Sequence, residues 1–295
     1  MPAGRRRTST AIDVGRYTIF ARSVGGIETC YQIPALDVNL DIGRCPDGAE
    51  AQARLFLTHG HIDHAAGLPY YVSLRALFGQ APPRIFCPKE TRPVLHRILC
   101  GWDDLQSDAL RCSLVGVSPN EVIPIGSRHS VHVVKAHHRI EAVGYVIVEK
   151  VKKLIPELQA SDQETVEARA RAGETVDAWV DRPELCFPGD TTINILEEPQ
   201  VRTSRVLLLE CTFFGDRMRP ERAWSGGHIH FRHIAERADV LENEHLVLCH
   251  GSMRHKPEDV VREVRRGLPE GLLERVRILT TDGVLHLGRP PGTST

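Results

Sequence analysis

Short apolar runs bounded by polar turns recur along most of the chain, and their length predicts β-strands. The first series of strand candidates is Thr18–Val24, Val38–Ile42, Arg54–Thr58, Arg84–Cys87, Val131–Lys135 and Gly144–Glu149. The second series is Glu184–Phe187, Arg205–Glu210, His245–Cys249 and Val276–Thr280. Helical patterns separate the strands at Leu68–Phe78, Lys89–Leu99, Phe231–Glu244 and Pro257–Gly267. Strands interleaved with helices favour a layered α/β fold.

The charged segment 150–181 breaks this alternation, and we interpret it as an excursion between two halves of one domain. It contains one clear helix, Thr165–Ala172. Ser161 and Glu164 form an S-x-x-E capping box before that helix, and Gly173 ends it.

Composition narrows the class of protein. The 295 residues are 41% hydrophobic, which is enough for a substantial core. Charges nearly cancel, with 37 Lys and Arg against 38 Asp and Glu, so any phosphate binding must come from local patches. Eight cysteines without a C-x-x-C pair indicate reduced, mostly buried thiols in a cytoplasmic protein.

The ends of the chain carry little that predicts structure. Residues 1–10 are predicted to be a disordered leader, and the main domain covers 11–290. Arg5, Arg6 and Arg7 are not followed by an apolar segment, which argues against a secretory signal. No stretch approaches the length of a membrane span, so no membrane partner is expected.

The most informative motif is H-G-H-I-D-H, directly after the apolar run 55–57. It places His59, His61, Asp63 and His64 within six residues at the end of a strand. Imidazole and carboxylate groups are the ligands that zinc and similar ions prefer. A loop here can turn His59 and His61 toward one ion, and Asp63 and His64 toward another. A histidine-rich polar loop is the alternative, but four ligand-type residues at this spacing favour the metal site.

Two ions need further ligands, and three candidates also follow strands. His138 comes after the run 131–135, Asp190 lies in F-P-G-D-T, and His250 follows the run 246–249. Each residue taken alone is more simply explained as a satisfied polar group. Together they indicate one rim of strand ends that carries a dinuclear site.

The order of these motifs resembles that of the metallo-β-lactamase superfamily, which implies a four-layer αββα sandwich of two β-sheets flanked by helices. Further segments are similar to ribonuclease Z, the tRNA 3′-processing endonuclease, in its short plant-like form. These segments are Ser23–Cys30, Asp41–Pro46, His138–Tyr145, Glu210–Phe213, Gly227–His230 and His250–Arg254. The resemblance extends from about residue 17 to about residue 285.

The resemblance implies two bound zinc ions, with manganese or iron possible at the same ligands. The implied ligands are His59, His61 and His138 for one ion, Asp63, His64 and His250 for the other, and Asp190 as the bridge. It also implies hydroxide attack on the phosphodiester that joins the 3′ trailer to a precursor tRNA, leaving a 3′-hydroxyl.

The resemblance assigns proton transfer to three residues. Glu210 and His228 are the pair that protonates the leaving oxygen, and Asp63 can accept a proton from the nucleophile. Without the resemblance, a buried ion pair explains Glu210 and helix capping explains His228.

Several residues have weaker indications. Asp41 either braces a metal-bound imidazole or opens a turn. Ser252 and Arg254 either contact a substrate phosphate or are ordinary surface residues. Two basic clusters either follow an RNA backbone or form solvated faces: Lys150, Lys152 and Lys153, and Arg217, Arg219 and Arg222.

The resemblance further implies a homodimer in which an arm of one subunit helps to bind RNA for the other. The excursion 150–181 takes the place of that arm but is short and lacks a Gly-Pro tip.

Other hypotheses are a phosphodiesterase or thioester hydrolase acting on a small metabolite, and a non-catalytic RNA-binding scaffold. The Glu210–His228 pair argues against a thioesterase, because a thiolate leaves without protonation. The complete ligand set argues against the scaffold.

Overall fold

The computed structural model describes residues 9–288. The predicted leader, residues 1–10, lies outside the described residues except for Ser9 and Thr10, and Thr10 already begins a strand. That first strand was absent from the sequence-based prediction, because T-A-I-D is too short to give a pattern.

The first half of the described chain builds a seven-stranded sheet whose strands lie in chain order. They are β1 (Thr10–Asp13), β2 (Thr18–Val24), β3 (Glu28–Ile33), β4 (Val38–Leu40), β5 (Arg54–Phe56), β6 (Arg84–Pro88) and β7 (Ser113–Val117). The strands β1 to β4 pair antiparallel, and β4 to β7 pair parallel. Parallel pairing brings the carboxyl ends of β4, β5 and β6 to one edge, which is where ligand sites form in open α/β sheets.

The second half builds an eight-stranded sheet, again in chain order. Its strands are β8 (Val122–Pro124), β9 (His129–Lys135), β10 (Val143–Leu154), β11 (Asp177–Phe187), β12 (Val206–Glu210), β13 (His245–Cys249), β14 (Val276–Thr280) and β15 (Gly283–His286). Strands β11 to β14 pair parallel. β12 is buried along its whole length, as expected for a parallel strand covered on both faces.

The α-helices lie on the outer faces of the two sheets and in the connections. Within residues 9–288 they are α1 (Ile62–Ala65), α2 (Leu68–Leu77), α3 (Arg92–Gln106), α4 (Gln163–Arg171), α5 (Pro199–Thr203), α6 (Pro220–Ser225), α7 (Phe231–Ala235), α8 (Pro257–Gly267) and α9 (Glu270–Leu273). In this part of the chain, no helix combines the length and the apolarity needed to cross a membrane.

Aromatic side chains join the two sheets face to face. The ring of Tyr31 lies 4.9 Å from that of Phe187, and Phe56 packs against Phe86 at 4.6 Å and against Tyr145 at 5.1 Å. The Tyr145 hydroxyl donates to the carbonyl of Leu57 at 2.7 Å, so this buried phenol is satisfied across the sheets. Each sheet also has one apolar cluster between it and the helices that cover it. The predicted four-layer αββα sandwich is therefore confirmed.

The charged excursion is a long hairpin. Strands β10 and β11 continue their pairing out to Leu154 and Asp177, and α4 lies at the tip. The predicted helix is present, but the predicted cap is wrong. Asp162 is the N-cap, and its carboxylate accepts from the Thr165 amide at 2.8 Å.

Two helix predictions had wrong bounds. The predicted helix 231–244 ends at Ala235, because residues 238–240 form a separate 3₁₀ turn. The predicted helix 89–99 begins at Arg92 and continues to Gln106.

Candidate active site

The H-G-H-I-D-H segment lies immediately after the carboxyl end of β5. His59 is fully buried and pairs with Ala142 of the neighbouring sheet through an isolated bridge. His61 is the N-cap of the short helix α1, which carries Asp63 and His64. This strand–loop–helix geometry turns all four side chains toward the seam between the sheets.

The three distant candidates lie at the same seam, on the second sheet. His138 follows β9, Asp190 follows β11 and His250 follows β13. Gly189 turns the chain before Asp190 with a φ of +67°, a conformation that favours glycine. The structure therefore brings all seven predicted ligands together.

The ligand atoms form two neighbouring groups. In one, His61 Nδ1 lies 3.1 Å from His59 Nε2 and 3.2 Å from His138 Nε2. In the other, His250 Nε2 lies 3.2 Å from His64 Nε2 and 3.4 Å from Asp63 Oδ2.

Asp190 reaches both groups with its two oxygens. Its Oδ1 lies 3.4 Å from both His64 Nε2 and His250 Nε2, and its Oδ2 lies 3.8 Å from His59 Nε2. All donor atoms of each group lie within 4.8 Å of one another. Donors about 2.0–2.1 Å from a tetrahedral ion are about 3.3 Å apart, so this spacing fits metal coordination.

The other ring nitrogens of three histidines are fixed by polar partners. Asp41 lies 2.7 Å from His64 Nδ1, Gly227 O lies 2.8 Å from His138 Nδ1, and Thr212 Oγ1 lies 2.9 Å from His250 Nδ1. Such contacts select the tautomer that leaves Nε2 free to bind a metal. The predicted bracing contact of Asp41 is confirmed, and this carboxylate also accepts from the Thr58 amide and hydroxyl.

Electrostatics prepares most of these groups for metal binding. Burial lowers the pKa of His59, His61 and His138, which keeps the imidazoles neutral. Burial also opposes the charge of Asp190, but the surrounding histidines hold its pKa below the usual range.

His64 differs from His59, His61 and His138. Burial lowers its pKa, but Asp190 and Asp41 outweigh that effect and raise it to about 9. A proton on His64 is therefore the competitor that a metal ion must displace.

Glu210 and His228 form a pair beside this cluster. The Glu210 carboxylate is buried at the end of β12, and its Oε1 lies 3.1 Å from His228 Nδ1. Burial lowers the pKa of His228, but Glu210 and Asp190 together outweigh burial, so this pKa lies above its ordinary value. The His228 ring lies 5.1 Å from the His138 ring, between the cluster and solvent. This arrangement can deliver a proton to a bound molecule.

The cluster opens into a pocket of about 370 Å³. Ser252 and Arg254, predicted as phosphate contacts, line it together with the backbone of Gly25 and Gly26. Arg139 lines it as well, and its place next to His138 is the one sequence feature that could have selected it.

Thr212 is a second functional candidate that sequence reasoning missed. Its hydroxyl donates to Glu210 Oε2 at 2.6 Å and lies 2.9 Å from His250 Nδ1. This one side chain connects a candidate metal ligand to the candidate proton-transfer pair. Its place in the segment Glu210–Phe213, which carries the family resemblance, is the indication that could have selected it.

The basic clusters have different positions. Lys150, Lys152 and Lys153 lie on the hairpin β10–β11, where Lys152 pairs with Asp177 at 3.0 Å. Arg219 is the N-cap of α6 and Arg222 lies within that helix, whereas Arg217 lines a groove beside the pocket. The sequence grouped these three arginines, but the fold separates them.

Known proteins share both sequence and fold with this chain. Residues 44–251 match the family model described as a beta-lactamase superfamily domain. The tRNase Z TRZ1 of Arabidopsis thaliana is 34% identical over 274 residues, covering 92% of this chain and 97% of that protein. The chloroplastic tRNase Z TRZ2 of the same plant is 32% identical over 252 residues, covering 84% and 71%.

A solved structure has a similar fold. The metallo-beta-lactamase fold protein YhfI from Bacillus subtilis superposes with a TM-score of 0.59 at 14% identity, covering 89% of this chain and 96% of that one.

Proposed function

Because the chain belongs to the ribonuclease Z family of the metallo-β-lactamase superfamily, we propose that it is an endoribonuclease that removes the 3′ trailer from precursor tRNA. The observation that carries the proposal is the convergence of seven ligand-type side chains beside the Glu210–His228 pair. This combination suits cleavage of a phosphodiester whose leaving alkoxide needs a proton.

We propose that the site holds two divalent ions, zinc first, with manganese or iron acceptable to the same ligands. His59, His61 and His138 would hold one ion and Asp63, His64 and His250 the other, and Asp190 lies close enough to both groups to be shared between them. When bound, such a pair lowers the pKa of a water molecule and neutralises charge on a phosphate. Two observations support this assignment: the distances between the donor atoms, and the contacts at Nδ1 that select the imidazole tautomer with Nε2 free.

The residues of the chain supply positioning and proton transfer. Asp63 is kept ionised because His250 and His64 outweigh the effect of burial on its pKa, so it can accept a proton from the nucleophile. Its Oδ2 also accepts from the Gly26 amide at 2.8 Å, which holds the carboxylate at the pocket wall. Arg139 and Arg254 place positive charge at opposite loops of the pocket, where a phosphate oxygen can be bound.

His228 donates the proton that the leaving ribose oxygen needs. Glu210 favours the protonated imidazole, and Glu210 itself is fixed by the Thr191 amide at 2.9 Å and the Ile229 amide at 3.2 Å. The carboxylate therefore cannot turn away when the proton leaves. Cleavage on this side of the phosphorus leaves a 3′-hydroxyl on the tRNA.

Incubation with a 3′-extended precursor tRNA and with bis-p-nitrophenyl phosphate tests the proposal. We expect cleavage of the precursor at the discriminator base with a 3′-hydroxyl product, and Asp63→Asn protein is the inactive control. Turnover of the small ester without cleavage of the precursor would instead indicate an enzyme for small phosphodiesters.

We also propose that the protein is a homodimer. Helix α2, its C-cap residue and helix α3 expose a set of large apolar side chains: Leu77, Phe78, Val94, Ile98, Trp102 and Leu105. The last four recur at helical spacing on one face of α3, and Leu105 is 76% exposed. Such a face on two adjacent helices suits a self-complementary interface with a second copy.

We propose the cytoplasm as the compartment. All eight cysteines are free thiols, and six of them are buried, which suits a reducing environment. A fluorescent fusion expressed in the source cell tests this assignment, since one plant relative is a chloroplastic enzyme.

A further inference from the structure

A second concave surface leads away from the active site between α7 and α8. This groove has a volume of about 640 Å³ and shares Arg254 with the active-site pocket, so the two spaces adjoin at this side chain. Six exposed basic side chains line it: Arg217, Arg232, Arg254, Lys256, Arg262 and Arg266.

The groove is positive although the chain as a whole is not. Its lining includes three acidic residues against the six basic ones, which gives a net charge of +3 in a chain of net charge −1. Two of the acids are already used, because Asp216 pairs with Arg232 and Asp259 pairs with Arg262.

Four of the cations in the groove remain available. Across residues 9–288, no hydrogen-bond or ion-pair partner contacts the side chains of Arg217, Arg254, Lys256 and Arg266. A row of unpaired cations that begins at a phosphodiester-cleaving site fits a polyanion that continues from the scissile phosphate.

The size of the groove indicates which part of the precursor tRNA it can bind, the paired acceptor stem or the single-stranded trailer. A space of about 640 Å³ is in the range of ligand pockets, about 300–1,000 Å³, and admits a few nucleotides of single strand. An A-form duplex would need a broad surface across its wide minor groove. On the 5′ side of the cleavage site the RNA returns into the paired acceptor stem, whereas on the 3′ side it continues as a single strand.

We propose that the α7–α8 groove binds the phosphate backbone of the 3′ trailer. This inference rests on the proposed function and adds a binding site outside the cluster of metal ligands. It makes trailer length a determinant of substrate affinity.

The test compares precursor tRNAs with a single-nucleotide trailer and with a trailer of about twelve nucleotides, within the 4–16 nucleotides typical of single-strand sites. In the double variant Arg217→Gln/Arg266→Gln, we expect kcat/KM for the long trailer to fall about tenfold, because two phosphate contacts are lost. The dependence of log kcat/KM on log salt should become shallower by about 1.4, or about 0.7 per phosphate. The single-nucleotide substrate should be cleaved at the wild-type rate.

Arg219→Gln/Arg265→Gln is the matched control, since it removes the same charge from the same two segments outside the groove. Arg217→Lys/Arg266→Lys should restore most of the long-trailer rate. Equal loss on both substrates, no loss on either, or an equal effect of the control variant overturns the proposal. Failure of the wild-type protein to cut either precursor, with turnover of bis-p-nitrophenyl phosphate, rejects the proposed function instead.

Discussion

At the scale of single residues, Glu210 is the best-fixed group of the site. Its two oxygens accept from the Thr191 and Ile229 amides and from the Thr212 hydroxyl, and one of them contacts His228. A carboxylate held by this many donors keeps one orientation. The neighbouring imidazole therefore has a fixed position from which to transfer a proton.

The variant His228→Ala should slow the chemistry without loss of metal. We expect kcat for precursor tRNA to fall by about 10²–10⁴, the usual contribution of a proton-transfer group. Metal content, measured by mass spectrometry of the purified protein, should equal that of the wild type. His233→Ala, in the same segment, should change kcat less than threefold. Loss of both ions in His228→Ala would place that residue among the ligands.

The variant Asp63→Ala should abolish activity and leave the fold intact. The carboxylate is a candidate ligand that lines the pocket, so its removal enlarges this pocket instead of opening a sealed cavity in the core. We expect a loss of at least about 10² in kcat, with an unchanged circular dichroism spectrum. Asp63→Asn retains an acceptor for the Gly26 amide and should be equally inactive. Substantial activity in either variant would contradict the assignment.

The candidate ligands could be selected from the sequence because each one follows an apolar run that is recognisable as a strand. His138, Asp190 and His250 are far apart in the chain, and only the rim of strand ends gives a reason to group them. Thr212 and Arg139 could not be selected in that way. Their roles depend on which neighbours approach from other elements, and a threonine or an arginine has too many ordinary functions to be chosen from sequence.

At the scale of elements, the turn at Gly227 brings His228 next to the loop that carries His138. Its φ is +78°, and a Cβ at this position would lie 2.7 Å from His138 Nδ1 and 3.0 Å from the Arg139 amide. The carbonyl of the same residue binds His138 Nδ1. The turn therefore positions a candidate ligand and the His228 side chain together.

The variant Gly227→Ala should weaken metal binding. The added Cβ displaces the His138 ring, so we expect a loss of about 10–100-fold in metal affinity, as for other partners of metal-bound imidazoles. Titration with a chromogenic chelator measures this loss. Gly173→Ala is the control, because its φ is also positive at +77° but a Cβ there meets no atom within 4 Å. Equal metal affinity in the two variants would contradict the proposed role of the turn.

Element bounds were predicted well for isolated strands and poorly for the hairpin. β2, β13 and β14 have the predicted bounds, because turns with polar residues limit them on both sides. The hairpin β10–β11 extends into a charged segment whose outer residues are exposed on both faces. Such a ribbon has no apolar alternation, so its pairing is invisible to a pattern of hydrophobic positions.

At the scale of the whole molecule, an ion-pair network stabilises the end of the sandwich from which the hairpin β10–β11 extends. Glu149 contacts Arg16 and Arg182, and Glu184 contacts Arg16, Arg182 and Arg205. The hydrogen bond from Arg16 is the main reason that the pKa of Glu149 is lowered to about 2, against the effect of burial.

The variant Glu149→Gln should reduce stability in a pH-dependent manner. Since the folded pKa is lowered, the stabilisation is complete above the unfolded pKa of about 4.5 and is lost as pH falls toward about 2. We expect a decrease of about 3 kcal/mol in the free energy of unfolding at neutral pH, measured with urea. Glu244→Gln, at an exposed pair, should change it by less than about 1 kcal/mol. A difference independent of pH would contradict this account.

The variant Trp102→Glu should disrupt the proposed dimer. A charge in the centre of an apolar interface leaves an unpaired group buried, so we expect the dissociation constant to rise at least about 100-fold. Sedimentation velocity over a range of concentrations measures it. Glu164→Gln, on the exposed tip of the hairpin, should leave the wild-type value unchanged. A wild-type protein that sediments as a monomer at micromolar concentration would contradict the homodimer.

The candidate ligands divide between the sheets, with His59 to His64 on the first and His138, Asp190 and His250 on the second. During synthesis, the N-terminal half leaves the ribosome with only part of each coordination sphere. We expect ion capture to occur late, after residue 250 has emerged and both sheets have met. A ribosome-bound fragment that stops before β13 should therefore bind metal far more weakly than the released chain.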